Sequence, residues 1–362
     1  MITKWETLFI LIITLPIMGH VVILPPLFDV AGRDAWLSII CCIPFGLLFV
    51  WALYRLRLHH PKLYGAELII AAMGKPIGSF INIILVVYFL FLTILSYAAL
   101  IDMVYVGFLQ ETPLWALISF YFFFFIYSIL KGVKRIALTA TILAIIAMFT
   151  GHTITMMDSP LKEWNRLFPL FEFGYLPTVI GILVLTSIWS ELLLLVFLPL
   201  ENIRAKGMLI IWFVGVFLNA LMMFSTTTGT ITIFEVGQAD NMNYPALEIV
   251  RIIGLGFIDR FDVYGLILMS FGCYIRCALY MYIANDIPAY YLSSKWMKWG
   301  IFAFFSILVL IGTFYLTGEH IRLEKMLDIY AYMILLYPLP FVLLASSYVR
   351  TWKHRGKEAL EK

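Results

Sequence analysis

Long apolar segments recur along the whole chain and restrict it to one class of fold. A run of about 20 apolar residues is what an α-helix needs to cross the hydrocarbon core of a bilayer. Such runs alternate here with short polar connections, and 63% of the 362 residues are hydrophobic while 13% are charged. Because unpaired backbone groups are costly in lipid, each segment is expected to be helical. The sequence therefore predicts an all-α polytopic membrane protein.

We predict ten membrane-spanning helices in a single transmembrane domain that covers residues 1–362. Their expected bounds are Leu8–Phe28, Ala35–Leu56, Ile77–Leu109, Leu114–Leu130, Ile136–Met157, Thr178–Leu200, Met208–Phe234, Phe261–Ile287, Trp296–Leu316 and Met326–Val349. The third segment is longer than an upright crossing requires, so we expect it to tilt or to project from the bilayer.

The distribution of positive charge predicts the orientation. Most of the 25 lysines and arginines fall in the loops of one side and in the two termini. Such a bias marks the cytoplasmic side of a membrane protein, so both termini are expected in the cytoplasm. The formal net charge is only +3, and the basic residues do not cluster. A nucleic-acid partner is therefore not expected.

Polar residues interrupt the sixth predicted span near its middle. The stretch 186–191 includes Ser187, Trp189, Ser190 and Glu191, between runs of leucine, valine and isoleucine. A charged side chain near the centre of a bilayer costs at least ~2.5 kcal/mol, so it indicates a functional site by default. The alternative is that Glu191 pairs with a neighbouring helix and contributes only to packing.

The first predicted span is interrupted in a similar way, from Pro16 to His20. Proline removes a backbone donor and breaks or kinks a helix, and Gly19 permits unusual backbone angles. The freed amides at the start of a new half-helix favour an anion. Two interrupted spans at matching places in two halves of a membrane protein indicate a substrate site at mid-membrane. His20 could relay protons, contact a ligand or serve packing.

Further polar residues lie inside other predicted spans. Tyr97 and Asp102 occupy the same general side of the third span, and Asp102 is either part of a site or a solvated acid near the membrane surface. Arg276, in the eighth span near Cys273, needs a partner, a water-filled cavity or an acidic ligand. Glu191 is its most natural internal partner.

Catalytic and metal-binding patterns are missing from the sequence. It contains no H-E-x-x-H, G-x-S-x-G or Walker motif, so neither an enzyme nor a cofactor is expected. The four cysteines lie within predicted spans, where they are expected to pack as small apolar residues. The connection from Glu235 to Arg260 contains a mostly apolar stretch, 246–258, which is interpreted either as a lid or as a surface helix.

Four stretches resemble the spore germination B-subunit family, the permease-like integral subunits of nutrient germinant receptors. They are Ile2-Thr3 with Pro16-Ile17-Met18-Gly19; Trp189-Ser190-Glu191 with Phe197-Leu198-Pro199; Asn243-Tyr244-Pro245 with residues 247–251; and residues 257–262 with Tyr274-Ile275-Arg276-Cys277 and Tyr280-Met281-Tyr282. The resemblance extends over essentially the whole chain.

The resemblance implies the fold of the amino acid–polyamine–organocation (APC) transporter superfamily, in which two inverted five-helix repeats surround a small-molecule site. The first repeat would cover residues 1–157 and the second 178–349, with a cytoplasmic tail at 350–362. The first and sixth helices would be unwound at the site. Carried over to this chain, the ligand-binding residues are Ile17, Met18, Gly19, His20, Ser187, Trp189, Ser190, Glu191, Cys273 and Arg276, beside Tyr97 from the third span.

Members of the family lie in the inner membrane of dormant spores, with an A subunit and a lipid-anchored C subunit. The resemblance implies that this chain binds a small germinant there, such as an amino acid, a sugar or a nucleoside, and triggers germination. An amino acid or solute transporter is the alternative, since fold alone does not decide function. A structural anchor for partner subunits, without affinity for a small molecule, is the third hypothesis.

Overall fold

The computed structural model describes residues 1–253 and 262–360. The side chains of His20, Val21 and residues 353–360 lie outside the described part, as do Phe257 to Phe261 of the family-like stretch and the end of the 246–258 segment. The α-helices are α1 (Lys4–Thr14), α2 (Leu24–Ala31), α3 (Ala35–His59), α4 (Gly65–Met73), α5 (Lys75–Gly107), α6 (Leu114–Lys131), α7 (Val133–Asp158), α8 (Leu176–Trp189), α9 (Leu194–Phe197), α10 (Met208–Phe234), α11 (Val236–Ala239), α12 (Pro245–Arg251), α13 (Asp262–Tyr291), α14 (Lys295–Thr317), α15 (His320–Ala331) and α16 (Leu339–Leu360).

Within these described ranges, nine helical stretches are long and apolar enough to cross a membrane. They correspond to the second through tenth predicted spans, and the chain is a multi-pass helical membrane protein. The predicted first span, Leu8–Phe28, is divided between α1 and α2, and α2 continues into the stretch Leu24–His59. The division has a local cause, because three prolines within this span remove backbone donors that a continuous helix needs. Ten spans and the inverted repeat stay predictions.

The most buried helices form the centre of the molecule. Helix α5 packs along α13, and α8 packs against α3. In contrast, α14 turns large apolar side chains outward, including Trp296, Phe304 and Ile311. Exposed apolar surface of this kind is expected on a helix that faces lipid. Polar side chains within α5 and α13 are therefore enclosed by the bundle.

The first interrupted segment keeps its helical backbone but changes its hydrogen-bond pattern. Between α1 and α2, residues Met18–Val22 form a π-helical turn, in which the amide of Ile23 donates to the carbonyl of Met18 over 3.0 Å. Pro16 has no amide proton and cannot continue the pattern of α1. Turns of this type are frequent at functional sites. The backbone between α1 and α2 was expected to be unwound, but here it forms a helical turn. Unwinding of the first span therefore stays a prediction.

The sixth segment changes its pattern as well. A 3-10 turn, Ser190–Leu193, separates α8 from the short helix α9. Buried Arg57 of α3 caps the end of α9, donating to the carbonyls of Val196 over 2.8 Å and Leu198 over 3.1 Å. The carbonyl of Val196 lies in the last turn of α9, where the guanidinium satisfies a group that lipid would leave unpaired. The carbonyl of Leu198 also accepts from the amide of Leu200 over 2.9 Å.

The N-terminus is joined to the end of the same segment. Ile2 forms an isolated parallel β-bridge with Leu200, and the amide of Ile2 donates to the carbonyl of Pro199 over 2.8 Å. Thr3 and Glu6 form a capping box at the start of α1. Glu6 also accepts from Lys134 of α7 over 2.7 Å. The beginning of the chain is thereby held against α7 and against the segment that follows α9.

Candidate functional site

A buried ion pair lies at the centre of the candidate site. The two terminal nitrogens of Arg276, Nη1 and Nη2, form a fork. Both donate to the carboxylate of Glu191, with 2.5 Å between Nη2 and Oε1. Neither side chain is exposed. The pairing expected from the sequence is thus present, and it joins α13 to the 3-10 turn of the sixth segment. A bidentate arginine–carboxylate pair fixes both position and orientation.

Two tyrosines complete the surroundings of the carboxylate. Tyr280 donates to Oε2 of Glu191 over 2.6 Å, and Tyr330 of α15 donates to Oε1 over 2.5 Å. Each carboxylate oxygen therefore accepts one bond from arginine and one from a phenol. Four charge-assisted bonds compensate the carboxylate for its removal from water.

Separate contacts hold the guanidinium from the opposite side. Its Nε donates to Ser96 Oγ of α5 over 2.5 Å, and Nη1 donates to the carbonyl of Thr14 over 3.1 Å. Thr14 is the last residue of α1, where the helical pattern ends before Pro16. The ring of Tyr280 lies beneath the guanidinium, 4.9 Å from its central carbon. Arg276 is thus fixed by α1 and α5 independently of Glu191.

The other predicted residues of the sixth segment contact different partners. Ser190 Oγ lies 3.0 Å from Tyr88 Oη, and Ser187 Oγ donates to the carbonyl of Val184 in its own helix. The indole nitrogen of Trp189 donates to the carbonyl of Cys42 over 3.1 Å. Of the four residues, only Glu191 reaches the arginine directly.

The predicted residues of the first segment pack against other helices. Gly19 is in close contact with α10, because a Cβ at this position would lie 2.3 Å from Met223 Sδ. A Cβ on Gly272 of α13 would lie 2.3 Å from Ile17 Cδ1. Met18 is fully buried. The side chain of His20 lies outside the described residues.

Tyr97 and Cys273 were the remaining predicted residues. The hydroxyl of Tyr97 donates to the carbonyl of Ile118 on α6, so it points to a different neighbour from the ion pair. Cys273 is buried on α13, one turn before Arg276. Tyr88, Ser96 and Tyr330 were not predicted, and no local pattern marks them. Tyr280 had a usable signal, since it lies four residues after Arg276 on one helix face.

Asp102 corrects one interpretation of the sequence. It is not a solvated acid: its exposed fraction is 2%. Tyr244 donates to its Oδ2 over 2.6 Å, and His320 Nδ1 lies 2.7 Å from the same oxygen. The Asn243-Tyr244-Pro245 stretch thereby connects α12 to α5 and α15. Buried carboxylates need such partners.

Two cavities are lined in part by residues of the first predicted span. One, of about 130 Å³, is lined by Pro16, Ile17 and Gly272 and by polar groups of Thr155 and Ser225. The other, of about 360 Å³, has an acidic lining that consists of Asp29, Asp240, Glu324 and Asp328. Neither cavity is lined by Glu191 or Arg276, so the ion pair fills its own space between the helices.

Comparison with known proteins identifies the family. Residues 1–320 match the family described as spore germination protein. Spore germination protein XB of Bacillus anthracis is 29% identical over 297 residues, covering 79% of this chain and 81% of the relative. Spore germination protein KB of Bacillus subtilis is 21% identical, covering 76% and 74%. Spore germination protein YndE of the same species is 24% identical, covering 70% of each chain. The protein therefore belongs to the spore germination protein family.

Proposed function

We propose that this chain is the nutrient-sensing membrane subunit of a spore germinant receptor. A small germinant binds between the first and sixth segments, around Arg276. One observation carries the proposal: Arg276 bonds both to the end of α1, just before the interruption at Pro16, and to Glu191 in the 3-10 turn of the sixth span. Family membership supports the link to germination.

The network offers a route from ligand to conformation. A ligand shifts a conformational equilibrium only by its differential affinity for the two states. Contacts to Glu191 come from α13 and α15, and contacts to Arg276 come from α1 and α5. A solute that replaces any of these contacts changes how four helices pack, and this change is the signal that partner subunits detect.

Family membership also supports the proposed location and partner subunits of this chain. The chain lies in the spore inner membrane with both termini in the cytoplasm, and A and C subunits receive the signal. Its germinant is an amino acid, a sugar or a nucleoside. Co-purification of this chain with the two subunits from spore membranes tests the assembly, and a chain recovered alone from gently solubilised membranes contradicts it.

Ligand binding to the purified full-length chain is the direct test of sensing. Thermal unfolding in detergent is measured with the twenty common L-amino acids, glucose and inosine, each added separately. A saturable rise in melting temperature with one of them supports the proposal, because a ligand that binds only the native state stabilises it. No rise with any class contradicts it. Uptake of a labelled solute into proteoliposomes that contain this chain alone would instead identify a transporter.

Gly19 provides a test in spores. Valine at this position would push against Met223 and displace the first segment from α10. We expect Gly19→Val to abolish the nutrient response at an unchanged protein level. Gly300→Val is the matched control, since a Cβ on Gly300 meets no atom within 4 Å. A normal response of Gly19→Val contradicts a site at this segment.

A further inference from the structure

The donors around Glu191 form a complete binding site for a carboxylate. They are the two nitrogens of the Arg276 fork and the hydroxyls of Tyr280 and Tyr330, and all four point at two oxygens. A free carboxylate on a small molecule presents the same two oxygens. Planar bidentate recognition of this kind is the usual reason for arginine at a carboxylate site.

None of these donors belongs to the backbone segment that carries Glu191, and Arg276 has further partners of its own. Arg276 and Tyr280 belong to α13, and Tyr330 belongs to α15. Ser96 and the carbonyl of Thr14 hold the guanidinium from the other side. The guanidinium, which supplies two of the four donors, therefore keeps partners that hold it in place when the carboxylate of Glu191 moves away.

Glu191, in contrast, belongs to a backbone segment that can change. It lies in the 3-10 turn Ser190–Leu193, between α8 and α9. A 3-10 stretch within a longer helix has weaker hydrogen-bond geometry and often marks a hinge. A change of this turn to α-helical geometry would rotate Glu191 relative to α13 and separate the pair.

Charge balance selects the class of ligand that can replace the pair. Separating two buried charges without new partners is strongly unfavourable. A neutral sugar or nucleoside leaves both charges unpaired. A zwitterion gives Arg276 a new carboxylate and gives Glu191 a new ammonium group, so that every charge keeps a partner. An α-amino acid has these two groups on one carbon.

We propose that Glu191 occupies the carboxylate site of Arg276 in the closed, ligand-free conformation, and that a zwitterionic amino acid inserts between the two side chains. Its carboxylate takes the four donors, and its ammonium group pairs with the displaced Glu191. The inference rests on the proposed function for its role in sensing. Beyond that function, the ligand is assigned to the α-amino acids, and the Glu191–Arg276 pair is the contact that keeps the site closed.

The first experiment removes the carboxylate of Glu191 and supplies acetate as a free carboxylate in its place. Glu191→Ala, as full-length protein in detergent, is heated with increasing sodium acetate or with sodium chloride at equal ionic strength. We expect acetate to raise its melting temperature by about 2 °C or more at saturation, and chloride to have no comparable effect. The melting temperatures of the wild type and of Glu201→Ala, which removes an exposed acid, should respond equally to the two salts. Equal responses of Glu191→Ala to acetate and chloride overturn the inference.

The second experiment uses the wild type and does not depend on the folding of a variant. Each L-amino acid is compared with its α-amide, which lacks the carboxylate, and with glucose and inosine. We expect at least one amino acid to bind, and its amide to bind at least about 100-fold more weakly, because the buried donors would stay unpaired. Binding of glucose or inosine but of no amino acid overturns the inference and leaves the proposed function standing. Binding of none overturns both.

Discussion

Replacing Arg276 with methionine is the most informative perturbation of the central network. It leaves the Glu191 carboxylate buried with two of its four donors, Tyr280 and Tyr330. Each lost bond to a charged group is worth roughly 1.5–3 kcal/mol, so two lost bonds suggest about 3–6 kcal/mol. Removal of one partner from a buried pair typically costs about 3–5 kcal/mol. We therefore expect a destabilisation of about 4 kcal/mol.

The double variant allows the interaction energy of the pair to be separated from the contributions of the neighbouring groups. Glu191→Met combined with Arg276→Met removes both charges of this pair, and only neutral groups such as the Tyr280 hydroxyl and Ser96 lose partners. Each unpaired neutral group costs about 1 kcal/mol or slightly more. The double variant should therefore be more stable than either single variant, with a coupling energy of about 3 kcal/mol or larger.

The assay is a double-mutant cycle on the purified chain. The free energy of unfolding is measured by denaturant titration in mixed micelles for the wild type, both single variants and the double variant. An exposed pair, Arg322 with Glu319 at 2.6 Å, provides a matched control and should show a coupling below about 1 kcal/mol. Additive losses at Glu191 and Arg276, or a loss below about 1 kcal/mol in Arg276→Met, would refute the reasoning.

Three further predictions concern other contacts. Tyr244→Phe removes a donor from buried Asp102 and should lower the free energy of unfolding by roughly 1.5–3 kcal/mol in the same denaturant titration. Gly272→Val places new atoms against Ile17, and overpacking of this kind should cost about 1–3 kcal/mol and lower the melting temperature. Burial favours the neutral form of Glu6, but bonds from Lys134 and Thr3 outweigh it and hold the pKa of Glu6 below 4.5. The stabilisation from Glu6 should therefore be complete above pH 4.5 and decline as the pH falls through its lowered pKa, which melting curves at several pH values can measure.

Matched variants check these three expectations. Tyr332→Phe alters an exposed tyrosine and should have little effect, so an equal loss in both tyrosine variants contradicts the role of the Tyr244 hydroxyl. Gly300→Val, at an open position, should melt like the wild type, whereas a wild-type melting temperature for Gly272→Val contradicts the close packing. Glu6→Gln should be less stable than the wild type above pH 4.5, and this difference should disappear in acid. A difference that stays constant with pH contradicts the ion pair.

Hydropathy was sufficient for the framework of the fold. The second through tenth predicted spans coincide with the nine helical stretches found within residues 1–253 and 262–360. This success has a local cause, since a membrane helix requires a continuous run of apolar residues. The interruption predicted in the first span lies where α1 ends and a π-helical turn follows, and an unwound backbone there stays a prediction. Tertiary packing determines which turn replaces the missing hydrogen bonds.

For the candidate site, residue types and hydropathy were enough to predict that Glu191 and Arg276 are charged residues within the membrane that need partners, because lipid does not solvate charge. The identity of their partners beyond each other could not be read from the sequence. Ser96, Tyr330 and the carbonyl of Thr14 lie far away along the chain, so no spacing rule brings them together. Their convergence depends on how α1, α5 and α15 pack around α13, and packing is a property of side-chain shapes over the whole bundle.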